Sequence, residues 1–77
     1  MLITRPIVYN NINMKYQINT LVATVVSKGD APKGSVGAVI GNKEGEPDVY
    51  LVELFTVKNK EHLQLFYSKD EIYSIQQ

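Results

Sequence analysis

One stretch decides the fold of this chain: Gly34-Ser35-Val36-Gly37-Ala38-Val39-Ile40, in which two glycines lead a loop into β-branched residues. Gly34 and Gly37 are free to adopt positive φ or to let a neighbouring backbone approach closely, which a β-carbon would prevent. The valines and the isoleucine favour a pleated, half-buried surface. We therefore expect a strand here that sets the register of a sheet.

Short apolar runs lie on both sides of this stretch. Residues 21–26 are almost continuously apolar, which is typical of a strand buried on both faces. Residues 49–55 alternate, which predicts Tyr50, Val52 and Leu54 toward the core and the residues between them outward. Further strands are predicted at residues 7–9, 12–18, 62–67 and 73–75, with Leu63 and Leu65 inward and His62, Gln64 and Phe66 outward.

Turn-forming residues separate these runs. Residues 27–34 and the polar octet 41–48 have the Gly, Pro, Asp and Asn content of loops. Ser68 and Glu71 have the spacing of a capping box, which predicts one 3₁₀ turn before the last strand. The order predicts an all-β fold, a small SH3-like barrel of five strands over residues 14–77. Residues 1–13 are a separate N-terminal extension, predicted either to add an extra edge strand or to add nothing.

Size and composition reduce the number of function classes that this chain could have. A chain of 77 residues is long enough for one small core but not for a cleft between two lobes. Eight basic and eight acidic residues leave no net charge to attract polyanions, and there is no cysteine for a disulfide or a thiolate metal site. The N-terminus lacks the apolar run of a signal peptide, so we expect a cytoplasmic protein without a cofactor.

Part of the chain resembles a known family of small domains. Asp30-Ala31-Pro32, Lys33-Gly34 and the strand from Val36 to Ile40 are similar to the central pattern of the domain of unknown function DUF4926. The run Tyr50-Leu51-Val52-Glu53-Leu54-Phe55 is similar to a later strand of that family, although Ser35 replaces the aspartate usual in its glycine turn. The resemblance implies an SH3-like barrel with no established activity, and a setting beside toxin-like or nuclease-like genes.

Residues with catalytic chemistry are few. His62 is the single histidine, and it begins a strand on the expected wet face. Ser27 or Ser35 with Asp30 would complete a triad only if the fold brought them together, and no nucleophile-elbow motif supports this. The acidic residues of the 41–48 segment lack the spacing of a calcium loop. We therefore expect a protein that is not an enzyme and binds no metal.

The outward residues Val39, Leu51, Phe55 and Phe66 suggest an exposed apolar patch, and such patches usually mark contacts. We therefore expect a protein-binding module of the antitoxin, immunity or inhibitor type that occludes a partner such as a toxin or nuclease. The alternative is a nucleic-acid-binding barrel that uses Lys28, Lys33, Lys58 and Lys60. Exposed edge strands would also allow homo-oligomers. The residues predicted to bind a partner are Lys28, Asp30, Glu44, Glu46, Asp48, Phe55 and Phe66.

Overall fold

The structure is a computed structural model that describes residues 15–76. One sheet contains all five strands: β1 (Leu21–Thr24), β2 (Val36–Lys43), β3 (Glu46–Leu54), β4 (Leu63–Ser68) and β5 (Ile72–Ser74). All neighbours are antiparallel, in the order β4-β3-β2-β1-β5. Residues 15–76 contain no helix, so the all-β prediction is confirmed, and this part of the chain has no helix able to cross a membrane.

β4 and β5 are the two edges of the sheet, and within residues 15–76 no strand pairing joins them. The predicted closed barrel is therefore not confirmed, and the SH3-like assignment stays a prediction. A turn links the two edges: the Glu71 N–H donates to the Ser68 carbonyl at 2.9 Å, and the Ser68 N–H donates to Glu71 Oε1 at 2.8 Å. This single turn, closed by one i→i+3 hydrogen bond, is the turn that the Ser68–Glu71 spacing predicts, and it places Ile72 in the core as expected.

The glycines that lead into β2 have the geometry that their sequence predicts. Gly34 has a φ of +90°. Gly37 lies so close to β3 that a β-carbon on it would meet the Glu53 carbonyl oxygen at 2.2 Å, a distance that real β-carbons essentially never show. Only glycine allows the two backbones this approach. The register follows from it, because Gly37 pairs with Leu54 on one side and with Val22 on the other.

Alternate side chains of the sheet form a core on one face. Tyr50, Val52 and Leu54 on β3 are fully buried, as the alternation predicts, and Leu63 and Leu65 of β4 pack against the same core. Burial of this apolar surface is the main favourable term in folding. The other core residues are Tyr16, Val22, Ala31, Val39, Val57, Tyr67 and Ile72.

The outward placement of Val39 is wrong, because its side chain is fully buried. Val39 pairs with Val52 two residues along from the Gly37–Leu54 pair, so these residues share the inner face. A register shift follows between Val39 and Gly41, which is the mark of a β-bulge. The sequence does not reveal which face each residue takes, because a wholly apolar run fits a strand in either phase.

The predicted strand over residues 12–18 is wrong where the structure describes it. Residues 15–19 form bends and turns, and Asn19 has a φ of +74°. Tyr16 enters the core and meets the Tyr50 ring edge-on, with 5.4 Å between ring centroids. The Tyr50 hydroxyl accepts hydrogen bonds from the backbone N–H groups of Lys15 and Tyr16 at 2.7 and 3.1 Å. These bonds provide the polar partners that a strand ladder would otherwise supply.

Two other predictions concern chain segments rather than single residues. The octet 41–48 is mostly strand, and the loop is reduced to residues 44–45, with Gly45 at a φ of +80°. Asn42 Nδ2 donates to the backbone carbonyls of Pro47 and Val49 at 2.9 and 3.3 Å, which holds the irregular pairing of this hairpin. The predicted edge strand at residues 7–9 and the boundary near residue 13 lie outside the described residues.

Candidate protein-binding surface

An exposed aromatic ring lies among charged side chains where the β2–β3 hairpin meets β4. Phe66 is 43% exposed and pairs with Leu51 across the β3–β4 ladder. The Lys43 ammonium lies 5.7 Å from the centroid of the Phe66 ring and 3.2 Å from the Glu46 carboxylate. The ring and the carboxylate both attract this cation. We call this region the hairpin surface, and its members are Lys43, Glu44, Glu46, Asp48, Leu51 and Phe66.

Lysines offset most of the acidic charge of the hairpin surface. Glu46 pairs with Lys43, and the Asp48 carboxylate lies 3.8 Å from the Lys69 ammonium. The Lys69 N–H also donates to the Asp48 carbonyl at 2.8 Å, which anchors the β4–β5 turn to β3 near the hairpin tip. Glu44 stands at the hairpin tip and is exposed. The result is an aromatic ring surrounded by alternating charges, not a uniformly acidic patch.

Lys28 links the loop after β1 to the free edge of β4. Its ammonium donates to the Phe66 carbonyl at 2.7 Å and to Glu71 Oε1 at 3.0 Å, and it lies 4.7 Å from the centroid of the Tyr67 ring. The pKa of Glu71 is held below its usual value, mainly by the hydrogen bond from the Ser68 N–H and then by Lys28. Lys28 therefore lies beside Phe66, as part of the structure rather than as a free surface cation.

Asp30 and Phe55 lie away from the hairpin surface. Asp30 is 3.5 Å from Lys60, which joins the loop after β1 to the loop after β3. Phe55 follows β3 four residues beyond Leu51, so about 13 Å of strand separates it from the level of Phe66. Glu53 lies between these levels. Phe55 and Phe66 therefore do not form the common patch that the alternation suggests.

A second group of outward side chains, exposed at its two ends, was missed by the sequence analysis. Tyr73 pairs with Ala23, Ala23 pairs with Val36, and the Phe55 N–H donates to the Val36 carbonyl at 2.8 Å. This register places the four side chains side by side across β5, β1, β2 and the end of β3, on the face opposite the core. Tyr73 is 50% exposed and Phe55 is 56% exposed, whereas Ala23 between them is only 4% exposed and Val36 is partly exposed. We call these four residues the aromatic row.

The sequence contains only part of the information needed to predict the aromatic row. Alternation in residues 49–55 and 72–75 marks Phe55 and Tyr73 as outward residues. Which strands are neighbours, and which residues face each other across them, depends on the strand order and on the bulge after Val39. Neither feature can be read from alternation within single strands.

The residues considered for catalysis are not assembled into a site. His62 Nδ1 lies 2.5 Å from Glu53 Oε2, and the imidazole is largely exposed. The Ser35 hydroxyl donates to a backbone carbonyl at 2.6 Å, the Ser27 hydroxyl accepts from a backbone N–H at 3.0 Å, and Asp30 faces a lysine. Within residues 15–76, no three histidine or carboxylate side chains are grouped so that they could hold a metal ion.

No protein-family model, curated protein or solved structure matches this chain. The resemblance to DUF4926 therefore stays a prediction.

Proposed function

We propose that this chain is a non-catalytic protein-binding module of the antitoxin, immunity or inhibitor type, which acts by covering a functional surface of a partner such as a toxin or nuclease. The observation that carries the proposal is the hairpin surface, where a half-exposed Phe66 ring is bordered by charged side chains that already have partners. The proposal places the protein in the cytoplasm, as the sequence predicts.

The hairpin surface has the composition of a binding hot spot. Aromatic side chains carry a large share of binding energy, and a polar border that excludes water strengthens their contacts. Lys43 and Glu46 already form an ion pair in the free protein. A partner that buries them would therefore not bury an unpaired charge, which costs much more free energy than burying a paired one. The lysine link from Lys28 to the Phe66 carbonyl fixes the backbone beneath the ring. A preorganised surface loses less conformational entropy on binding.

Nucleic-acid binding is the second candidate, and the aromatic row is the observation that favours it. Exposed aromatic rings on a sheet can stack on single-stranded bases. The lysines that would contact phosphates are partly engaged, because Lys28 bonds within the fold and Lys60 faces Asp30. With no net charge on the chain, this candidate lacks the electrostatic attraction that dominates such binding.

Affinity capture with matched variants tests the proposal. The immobilised full chain should retain one protein in stoichiometric amount from its own cell extract. Phe66→Ser should reduce that binding at least about tenfold, since a buried aromatic anchor contributes 2 kcal/mol or more. Phe55→Ser is the control, because it removes a similarly exposed ring outside the hairpin surface.

Two results would contradict the proposal. One is equal loss of the captured protein with both serine variants, which would show that the hairpin surface has no special part. The other is tight binding of a single-stranded oligonucleotide whose affinity falls steeply between about 50 and 200 mM salt, which is the signature of phosphate contacts.

A further inference from the structure

The aromatic row lies at the other end of the outer face from the hairpin surface. We propose that the row is a self-association interface, through which two copies of this chain pack face to face. The inference is independent of the proposed function, because it uses Phe55 and Tyr73 and leaves Phe66 exposed. It also differs from the edge-strand assembly that the sequence predicts. The β4 edge is partly occupied, because its Phe66 carbonyl already accepts a hydrogen bond from Lys28.

The face beside the row is apolar across β5, β1 and β2, and on β3 it ends at Glu53, which pairs with Ala38. The next residues along the same face are Ile75, whose N–H donates to the Leu21 carbonyl at 3.0 Å, and Ala38, which pairs with Leu21. Ile75 is 41% exposed, and Leu21 and Ala38 are partly exposed. These three residues carry no charge, and the Glu53 carboxylate at the end of the level faces the His62 imidazole. Sheets pack face to face when such inner surfaces interdigitate at a spacing of about 10 Å.

The order of side chains in the row is self-complementary. The row reads Tyr73, Ala23, Val36, Phe55, with large rings at the ends and smaller side chains between them. A two-fold axis that runs along the strands, between β1 and β2, reverses this order in the second copy. Phe55 of each copy then meets Tyr73 of the other, and these two ring contacts carry the association. Val36 of each copy lies over the position of Ala23, which is small and only 4% exposed. An isologous contact of this kind closes at two copies.

The exposed area sets the strength of the association. Phe55 and Tyr73 are about half exposed, and side chains of this type have roughly 200 Å² each to bury. With Ile75 and the partly exposed neighbours, each copy contributes about 400 Å² of apolar surface, so a dimer buries about 800 Å² in total. Stable interfaces bury about 1,200 Å² or more. The dimer is therefore weak and reversible, and the absence of net charge removes repulsion between the copies.

Sedimentation equilibrium of the full chain, from about 10 µM to about 1 mM, tests the interface. The weight-average mass of the unmodified chain should rise toward that of two copies. Phe55→Ser and Tyr73→Ser should each raise the dissociation constant at least about tenfold, since each substitution acts twice in a symmetric dimer. Phe66→Ser should leave it unchanged. A chain that stays monomeric at about 1 mM, or a Phe66→Ser variant as impaired as Phe55→Ser, would overturn the proposal.

A mixing experiment tests the reciprocal pairing itself. Phe55→Lys and Tyr73→Glu should each be monomeric when alone. In a mixture, one end of the row joins the introduced lysine to the introduced glutamate, and the other end retains the original Phe55–Tyr73 contact. The mixture should therefore form a one-to-one dimer. If both variants fold, as judged by unchanged circular dichroism, and their mixture stays monomeric, the proposed pairing is refuted.

Discussion

Replacing Gly37 with alanine should destabilise this domain strongly, whereas the same change at Gly41 should be harmless. A β-carbon at Gly37 would lie 2.2 Å from the Glu53 carbonyl oxygen and 2.9 Å from the Leu54 Cα, all backbone atoms of β3. Reaching even the 3.0 Å limit requires the strands to separate by at least 0.8 Å (3.0 less 2.2). No flexible side chain can absorb this shift.

The expected cost follows from what the shift disrupts. Overpacking in a tight core costs about 1–3 kcal/mol, and stretching one or two ladder hydrogen bonds adds about 1 kcal/mol, so Gly37→Ala should lose about 2–4 kcal/mol. A chain of 77 residues has about 4–12 kcal/mol of total stability. The midpoint of thermal unfolding should fall by about 10–30 °C.

Gly41 provides the matched control. Nothing lies within 4 Å of a β-carbon built there, and Gly41 is not in the positive-φ region. Gly41→Ala should change the stability by less than about 1 kcal/mol, in the stabilising direction if at all. Urea unfolding followed by tyrosine fluorescence is suitable, because the chain has five tyrosines and no tryptophan. Equal stability of the two variants would refute the argument that backbone approach at Gly37 sets the register.

Three further predictions concern the polar contacts. Lys28→Met should lower the free energy of unfolding in urea by about 2 kcal/mol, because it removes a charge-assisted hydrogen bond, an ion pair and a cation–π contact. Lys33→Met, on the same loop, should leave the free energy of unfolding unchanged. Tyr67→Phe should raise the free energy of unfolding by up to about 1 kcal/mol, because the buried Tyr67 hydroxyl has no hydrogen-bond partner among the described residues. Tyr50→Phe should lower it by about 2 kcal/mol, because the Tyr50 hydroxyl accepts hydrogen bonds from two backbone N–H groups. Glu71→Gln should make the free energy of unfolding less dependent on pH in the acid range. The pKa of Glu71 is lower in the folded chain than its ordinary 4.5. The ionised carboxylate therefore stabilises the fold above pH 4.5, and this stabilisation is lost as the pH falls through the folded pKa.

The parts of the fold that depend on local pattern were predictable. Alternation placed Tyr50, Val52 and Leu54 in the core, and the glycines of the 34–40 stretch identified the strand that sets the register. Alternation failed at residues 15–18, where Tyr16 enters the core from a turn because the Tyr50 hydroxyl satisfies its backbone. A tertiary contact with a residue 34 positions away cannot be read from local spacing.

The binding residues were predictable as exposed side chains but not as a surface. Phe66, Glu46 and Asp48 were expected to bind a partner, and the structure groups them around the hairpin. Phe55 was expected beside Phe66 and instead lies with Tyr73, because the bulge after Val39 and the strand order decide which outward residues become neighbours. Charge pattern likewise could not show that Lys28 bonds within the fold, because its partners Phe66 and Glu71 are distant in sequence.

The most direct test of the proposed function is a nuclear magnetic resonance titration of the isotope-labelled full chain with the captured partner protein. We expect the largest amide shift changes to cluster at the hairpin surface, on Lys43, Glu46, Leu51 and Phe66, with little change near Lys33 and Lys58. Shift changes concentrated on those two lysines, or equally strong changes when a single-stranded oligonucleotide replaces the protein, would contradict the proposed function.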